Sequence, residues 1–233
     1  YNKIMNTKIF NKLNQMVKDS PQLLLNTNAL QQAISGEFCV DINPLNDIAE
    51  LTNLIDEAVM QNYFSKVWQP ETKKYKYSGL SIIDEVNLLN PDNVLDIGCG
   101  YNEFKGKIQN LTGIDPYNKR ADVMVHTLEY ETFTEYDVTI CLGSINFGST
   151  DKIINELQKA VSLTKTGGLL IFRANPGIQH KAFESQWIDF FDWNTAFIMN
   201  TASALNCTVV QLNRDMPTNA LNGGRFYFVL RKN

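Results

Sequence analysis

Two aspartates and a glycine turn carry the most chemical information in this chain of 233 residues. Asp96 sits inside the apolar run Asn93-Val94-Leu95-Asp96-Ile97, which leads directly into Gly98-Cys99-Gly100-Tyr101-Asn102. Glycines lack a Cβ, so they permit backbone angles and a close approach that side chains forbid. A carboxylate at a strand end accepts hydrogen bonds from the ammonium or hydroxyl groups of a ligand. A second carboxylate, Asp115, closes the next apolar run, Leu111-Thr112-Gly113-Ile114. At the carboxyl edge of an open α/β sheet, where nucleotides bind, it is placed to chelate a ribose diol. Adenosyl ligands supply both kinds of group.

Other reactive side chains are few. His126 ends an apolar run and reads either as a satisfied strand-end imidazole or as part of a site. His180 falls in the 175–180 loop beyond another apolar run, where a general base and a solvated loop histidine are both open readings. Cys39, Cys99, Cys141 and Cys207 are scattered without a C-x-x-C pair, so no metal site is expected. Cys99 and Cys141 lie in apolar runs and read as buried free thiols of a reducing, cytoplasmic setting. Trp187, Phe190, Phe191 and Trp193 read as helix core or as a substrate platform. The basic, aromatic stretch Lys73 to Tyr77 reads as a solvated linker or as a nucleic-acid contact.

Composition bounds the class of protein that must position these groups. Hydrophobic residues make up 44% and charged residues 20%, which suits a globule with a sizeable core and excludes a disordered chain. No apolar run approaches the roughly 18 to 20 residues of a membrane span. A net charge of −4 argues against the phosphate backbone of nucleic acid as the main partner. No charged-then-apolar signal segment opens the chain, and the start at Tyr1 leaves trimming of residues before it an open alternative.

Along the chain, Met5, Ile9, Leu13, Met16 and Val17 recur at helical spacing and predict a helix over residues 2–20. Ser20-Pro21 starts a second, broken helical stretch stopped at Gly36, and Asn43-Pro44 starts a third that carries Leu45, Ile48, Leu51, Leu54, Ile55, Ala58 and Val59. Ser78 is expected to cap a helix ending before Asn90-Pro91. From there strands alternate with crossovers. Strands are expected at 93–98, 111–115, 122–126, 137–142, 168–174, 207–212 and 225–231, with helices over 151–163 and 184–205. The expected architecture is α/β, a doubly wound, mainly parallel seven-stranded sheet over residues 78–233, preceded by an N-terminal helical cap and linker over 1–77.

The sequence resembles the class I S-adenosylmethionine-dependent methyltransferases, and four segments carry the resemblance in the family's order. Val94 to Gly100 resembles the first motif, and Gly113-Ile114-Asp115 the acidic end of the second strand. Tyr136-Asp137-Val138 resembles the start of the fourth strand, and Lys165-Thr166-Gly167-Gly168-Leu169-Leu170 the turn into the fifth. Together they cover roughly the last two thirds of the chain. The resemblance implies that Asp96, Gly98 and Gly100 cradle the methionine part of S-adenosylmethionine and that Asp115 holds the ribose hydroxyls. It further implies that Thr127 and Leu128 contact adenine and that Leu142, Gly143 and Ser144 face the cofactor, with Asn146 a further candidate. His180 is the candidate catalytic base. Two departures stand out: Asn102 occupies the place of a third glycine, and only residues 117–121 remain where the family has a helix.

Absences narrow the reaction. No N/D-P-P-Y/F tetrapeptide follows the fourth strand and no P-C motif is present, so the DNA-modifying classes recede. Gly143-Ser144 and Ala174-Asn175 stand where metal-dependent relatives place carboxylates, so no divalent metal is expected. The resemblance therefore implies an enzyme that moves a methyl group, in line, from S-adenosylmethionine to an oxygen or nitrogen of a small or medium-sized acceptor, leaving S-adenosylhomocysteine. The helical cap is expected to close over the cofactor. Two alternatives stay open: a non-catalytic S-adenosylmethionine-binding module and an RNA methyltransferase. A nicotinamide-dependent oxidoreductase is disfavoured, because Glu103 stands at the third glycine of G-x-G-x-x-G and would repel a pyrophosphate.

Overall fold

The structure, a computed structural model, describes residues 5–216 and 224–233. The chain divides into two compact units, one made of Tyr1–Trp68 and Gln179–Asp189, the other of Gln69–Ile178 and Phe190–Asn233.

The first unit is helical. Asn6 caps α1 (Thr7–Asp19) by accepting from the Lys8 and Ile9 amides at 3.1 and 3.2 Å. Ile9 and Leu13, one turn apart, are buried. Residues 2–4 of the expected first helix lie outside the described residues. After a short 3₁₀ turn at Pro21–Leu25, α2 (Thr27–Phe38) runs through Gly36 rather than stopping there. A helical glycine costs only about 1 kcal/mol. Burial of Phe38 against Trp187, ring centroids 4.8 Å apart, outweighs that and carries the helix to Cys39. Helix α3 (Ile48–Asn62) starts later than Asn43-Pro44 because Asp47 provides the cap, accepting from the Glu50 amide at 2.8 Å. The 179–189 segment is stitched to these helices. Asn6 donates to Asp56 and to the Trp187 carbonyl, Lys8 to the Ile188 carbonyl, and the Trp187 indole to the Glu37 carbonyl.

The second unit is a mixed α/β sheet in the order β2-β1-β3-β4-β6-β5. Its strands are β1 (Val94–Ile97), β2 (Leu111–Ile114), β3 (Tyr136–Leu142), β4 (Thr164–Ala174), β5 (Cys207–Asp215) and β6 (Arg225–Lys232). The first four run parallel, and β6 is antiparallel to both β4 and β5. Because side chains alternate across a strand, each inner strand feeds two cores. Leu95, Ile97, Cys141, Leu170, Phe172 and Phe228 pack on the face covered by α5 (Thr150–Leu163) and α6 (Thr195–Ala204). Val94, Val138, Ile140, Ile171 and Val229 pack on the other face with Ile82 and with Val86 of α4 (Ile83–Leu88). The sheet is thus covered on both sides, as the continuous apolar runs predict.

Three further expectations are corrected. Among the described residues the sheet has six strands, not seven, because residues 122–126 contribute only an isolated bridge, Ile114 to Val123. A parallel crossover needs roughly a dozen residues or more, and the 115–122 connection is too short to hold a helix. Val123 and Met124 are accordingly 40% and 53% exposed. Second, the helix expected over 184–205 is confined to α6, capped by Asn194 accepting from the Phe197 amide. Upstream, Phe190 and Asp192 bridge Phe147 and Pro176 instead. Third, the Ser78 hydroxyl caps no helix, for it donates to the buried Asp215 carboxylate. The aromatic cluster also divides. Trp187 belongs to the first unit, while Trp193 is buried in the core of the second beside Phe191, Phe197 and Phe228.

Among the described residues no helix is long and apolar enough to cross a membrane. Phe228 is buried on the inner strand β6, stacked on Phe172 of β4 with centroids 4.9 Å apart. Phe228→Ala should lower unfolding free energy by about 3–5 kcal/mol in a denaturant titration; a loss under about 1 kcal/mol would contradict this placement of the core.

Candidate functional site

The parallel strands β1, β2 and β3 end side by side, so the loops leaving their carboxyl ends meet along one edge. There the Asp115 carboxylate ties two loops together. Its Oδ2 accepts from the Gly100 amide at 3.0 Å, and its Oδ1 accepts from the Tyr117 and Asn118 amides, both at 2.8 Å. A carboxylate offers about four lone-pair sites, so Asp115 is partly spent on the fold and retains about one acceptor position.

The glycine loop is shaped by positive φ angles at Gly98 (68°), Gly100 (53°) and Asn102 (55°). A Cβ on Gly98 would collide with the Ser144 side chain, which explains glycine there. Asn102 shows why the third glycine is dispensable. Asparagine enters the left-handed region more readily than other side chains, and its Nδ2 donates to the Arg120 carbonyl at 2.9 Å. The Gly98 and Cys99 amides both donate to the Ile114 carbonyl, which draws the loop onto the end of β2.

Asp96 is different in kind. It is only 3% exposed, and among the described residues its carboxylate makes no hydrogen bond or ion pair. Burial, and secondarily the charge of Asp115, pushes its pKa up to about 7. The same burial, then Asp96 and Asp115, drives the neighbouring Cys99 thiol far above its ordinary value, so it stays protonated. Cys141 is raised to about 11 by burial.

The other sequence candidates are placed as follows. The Ser144 hydroxyl donates to the Ile97 carbonyl at 2.7 Å and touches Cys141 Sγ at 3.0 Å, so it fastens the loop after β3 to the end of β1. Leu142 ends β3, and Gly143 follows with φ 108°. Thr127 and Leu128 form a short 3₁₀ turn, and His126 before them stands edge-on to Tyr117, ring centroids 5.6 Å apart. That contact links the turn to the loop held by Asp115. His180 lies in the first unit, its Nδ1 2.7 Å from the Tyr63 hydroxyl. Among the described residues no group of three or more His, Cys, Asp or Glu side chains could hold a metal ion.

Sequence reasoning missed Arg173, at the carboxyl end of β4. Its guanidinium lies 4.5 Å over the Tyr75 ring and donates to the Leu142 carbonyl at 3.2 Å. A single cation closing the run Leu169-Leu170-Ile171-Phe172-Arg173 was the available signal. Nearby, the buried Asp215 accepts from the Lys76 and Tyr77 amides at 2.9 and 3.0 Å, so residues expected to be a linker pack as part of the second unit.

No protein-family model matches the sequence, and no curated protein matches it. Solved structures do. A 1,6-didemethyltoxoflavin-N1-methyltransferase from Burkholderia thailandensis, with bound 1,6-didemethyltoxoflavin and S-adenosylhomocysteine, is similar over 83% of this chain and 93% of its own, at 16% identity and a TM-score of 0.59. Magnesium protoporphyrin IX methyltransferase from Synechocystis PCC 6803 with bound S-adenosylmethionine is similar over 76% and 97%, at 13% identity and a TM-score of 0.51. The N-methyltransferase NodS from Bradyrhizobium japonicum WM9, in complex with S-adenosylhomocysteine, is similar over 87% and 97%, at 15% identity and a TM-score of 0.50.

Asp96 yields a stability prediction. Its pKa is higher in the folded state than in the unfolded chain, so between about pH 4 and pH 7 the unfolded chain has released a proton that the folded protein retains. Stability from this group is therefore greatest below pH 4 and declines as pH rises to about 7, by at most about 4 kcal/mol. Asp96→Asn should remove that decline, measured as the difference between variant and parent in denaturant titrations across this window. Parallel pH profiles for the two proteins would contradict the burial of an uncompensated carboxyl group. Geometry and likeness agree on the architecture: the chain has the fold of the class I S-adenosylmethionine-dependent methyltransferases.

Proposed function

We propose that this chain is an S-adenosylmethionine-dependent methyltransferase acting on an oxygen or nitrogen of a small or medium-sized acceptor, with S-adenosylhomocysteine as the spent product. The observation that carries this reading is the orphaned Asp96 carboxylate. It is buried beside a second carboxylate, with no counter-cation among the described residues, at the mouth of a turn kept bare by Gly98 and Gly100. A buried charge without a partner is costly, and a ligand that brings its own positive charge removes that cost. S-adenosylmethionine fits: it has an ammonium group, a ribose diol and, when bound, supplies a methyl group already activated on a positively charged sulfur.

The residues divide the task. Asp96 would hold the ammonium end, with Gly98 and Gly100 giving the backbone room to approach. The remaining acceptor position of Asp115 would take a ribose hydroxyl, and Tyr117 and Asn118 keep that carboxylate aimed. Thr127 and Leu128 would flank the adenine, and Leu142, Gly143 and Ser144 would form the floor under the reacting centre. Orienting the two reactants can supply on the order of 7–11 kcal/mol of the barrier, so a strong base is needed only for an acceptor that must lose a proton.

Calorimetry tests the reading directly. S-adenosylhomocysteine should bind the folded protein, and its affinity should rise from pH 5.5 to pH 8 because protonated Asp96 cannot pair with an ammonium group. Near pH 6 binding should release a proton, seen as a dependence of the heat on the ionisation enthalpy of the buffer. Asp96→Asn should weaken binding about tenfold or more at pH 8 and flatten the pH profile. Absence of binding by intact protein would refute the proposal; binding without turnover over a broad acceptor panel would favour a sensor over an enzyme.

A further inference from the structure

Beside Gly143, two side chains present hydrogen-bond donors to the same small space. A Cβ built on Gly143 would lie 3.5 Å from Asn146 Nδ2 and 3.6 Å from Arg173 Nη2, so both donors flank the side of Gly143 that a side chain would otherwise cover. The orientation of the Asn146 amide is fixed by its hydrogen bond, since Oδ1 accepts from the Asn175 amide at 2.9 Å and Nδ2 must face the other way. Arg173 is held as firmly. Its guanidinium lies on the Tyr75 ring, Nη2 reaches the Leu142 carbonyl, and Nη1 stands 3.5 Å from the Ser78 hydroxyl.

What surrounds Arg173 is mostly neutral. Among the described residues no carboxylate lies within ion-pairing distance of it, and its buried Nε has no hydrogen-bond partner. Asp215 and Glu71 contribute negative potential and Arg225 opposes it, but Asp215 is already taken by Lys76, Tyr77 and Ser78, and Glu71 by Lys74 and Tyr75. A pre-oriented guanidinium beside an amide donor matches the planar, two-oxygen shape of a carboxylate.

We propose that Arg173 and Asn146 form a receptor for a carboxylate beside Gly143, so that the group gripped there is the acid end either of the adenosyl ligand or of the methyl acceptor. Both sources rest on the proposed function; the carboxylate receptor itself does not.

The test compares S-adenosylhomocysteine with its decarboxylated form by calorimetry, and titrates benzoate, a simple monocarboxylate, by NMR with and without S-adenosylhomocysteine. Asn146→Asp keeps the acceptor for Asn175 while replacing the donor with a like charge, and Arg173→Met removes the cation; thermal unfolding checks that each variant folds. If the adenosyl ligand supplies the carboxylate, the parent protein should prefer the intact compound about tenfold or more, and both variants should lose that preference. If the acceptor supplies it, the two adenosyl compounds should bind alike while benzoate saturates the parent and neither variant. A preference that survives in Asn146→Asp and in any folded Arg173→Met, or no preference and no saturable benzoate binding, overturns the receptor. Failure of both adenosyl compounds to bind would instead sink the cofactor reading, and the benzoate titration of the free protein would still decide the receptor.

Discussion

The Asp115 carboxylate is the interaction on which the site depends. By accepting from Gly100 on one side and from Tyr117 and Asn118 on the other, it fixes the loops after β1 and β2 relative to each other. Main-chain donors aimed at one carboxylate resist distortion because each N–H would otherwise be buried unpaired. The Ser144 hydroxyl extends the same arrangement to the loop after β3 through the Ile97 carbonyl. Three strand ends are joined by two polar side chains, and the surface between them is left to glycines.

Against that rigid frame, the uncompensated Asp96 is a local conflict. Natural sequences are expected to be consistent across levels except where function demands otherwise. A buried acid raised to about 7, next to a second acid, is such an exception. Its cost is borne by the surrounding apolar core, where Leu95 and Ile97 on the same strand are fully buried.

Much of this was legible in the sequence, for identifiable reasons. The strand ends at Asp96 and Asp115 could be placed because apolar runs broken by an acid or a glycine leave few alternatives. The two-sided sheet followed from runs without polar alternation. What escaped depended on contacts distant in sequence. Gly36 could not be seen to continue α2 without Trp187, which lies far along the chain. The aromatic run 187–197 has helical composition, yet it is pulled into bridges with Phe147 and Pro176, and only Asn194 starts a helix. The edge segment 122–126 reads as a strand from its side chains, but the short connection before it allows one bridge and no more. Arg173 was hidden because a cation at a strand end has no spacing signature of its own.

A crystal structure of the protein grown with S-adenosylhomocysteine measures the central claim most directly. The account requires the ribose within hydrogen-bonding distance of Asp115 and the amino group beside Asp96, with the glycine turn unmoved. Density for the compound at any other place, or a turn that rearranges and releases Gly100 from Asp115, would contradict it.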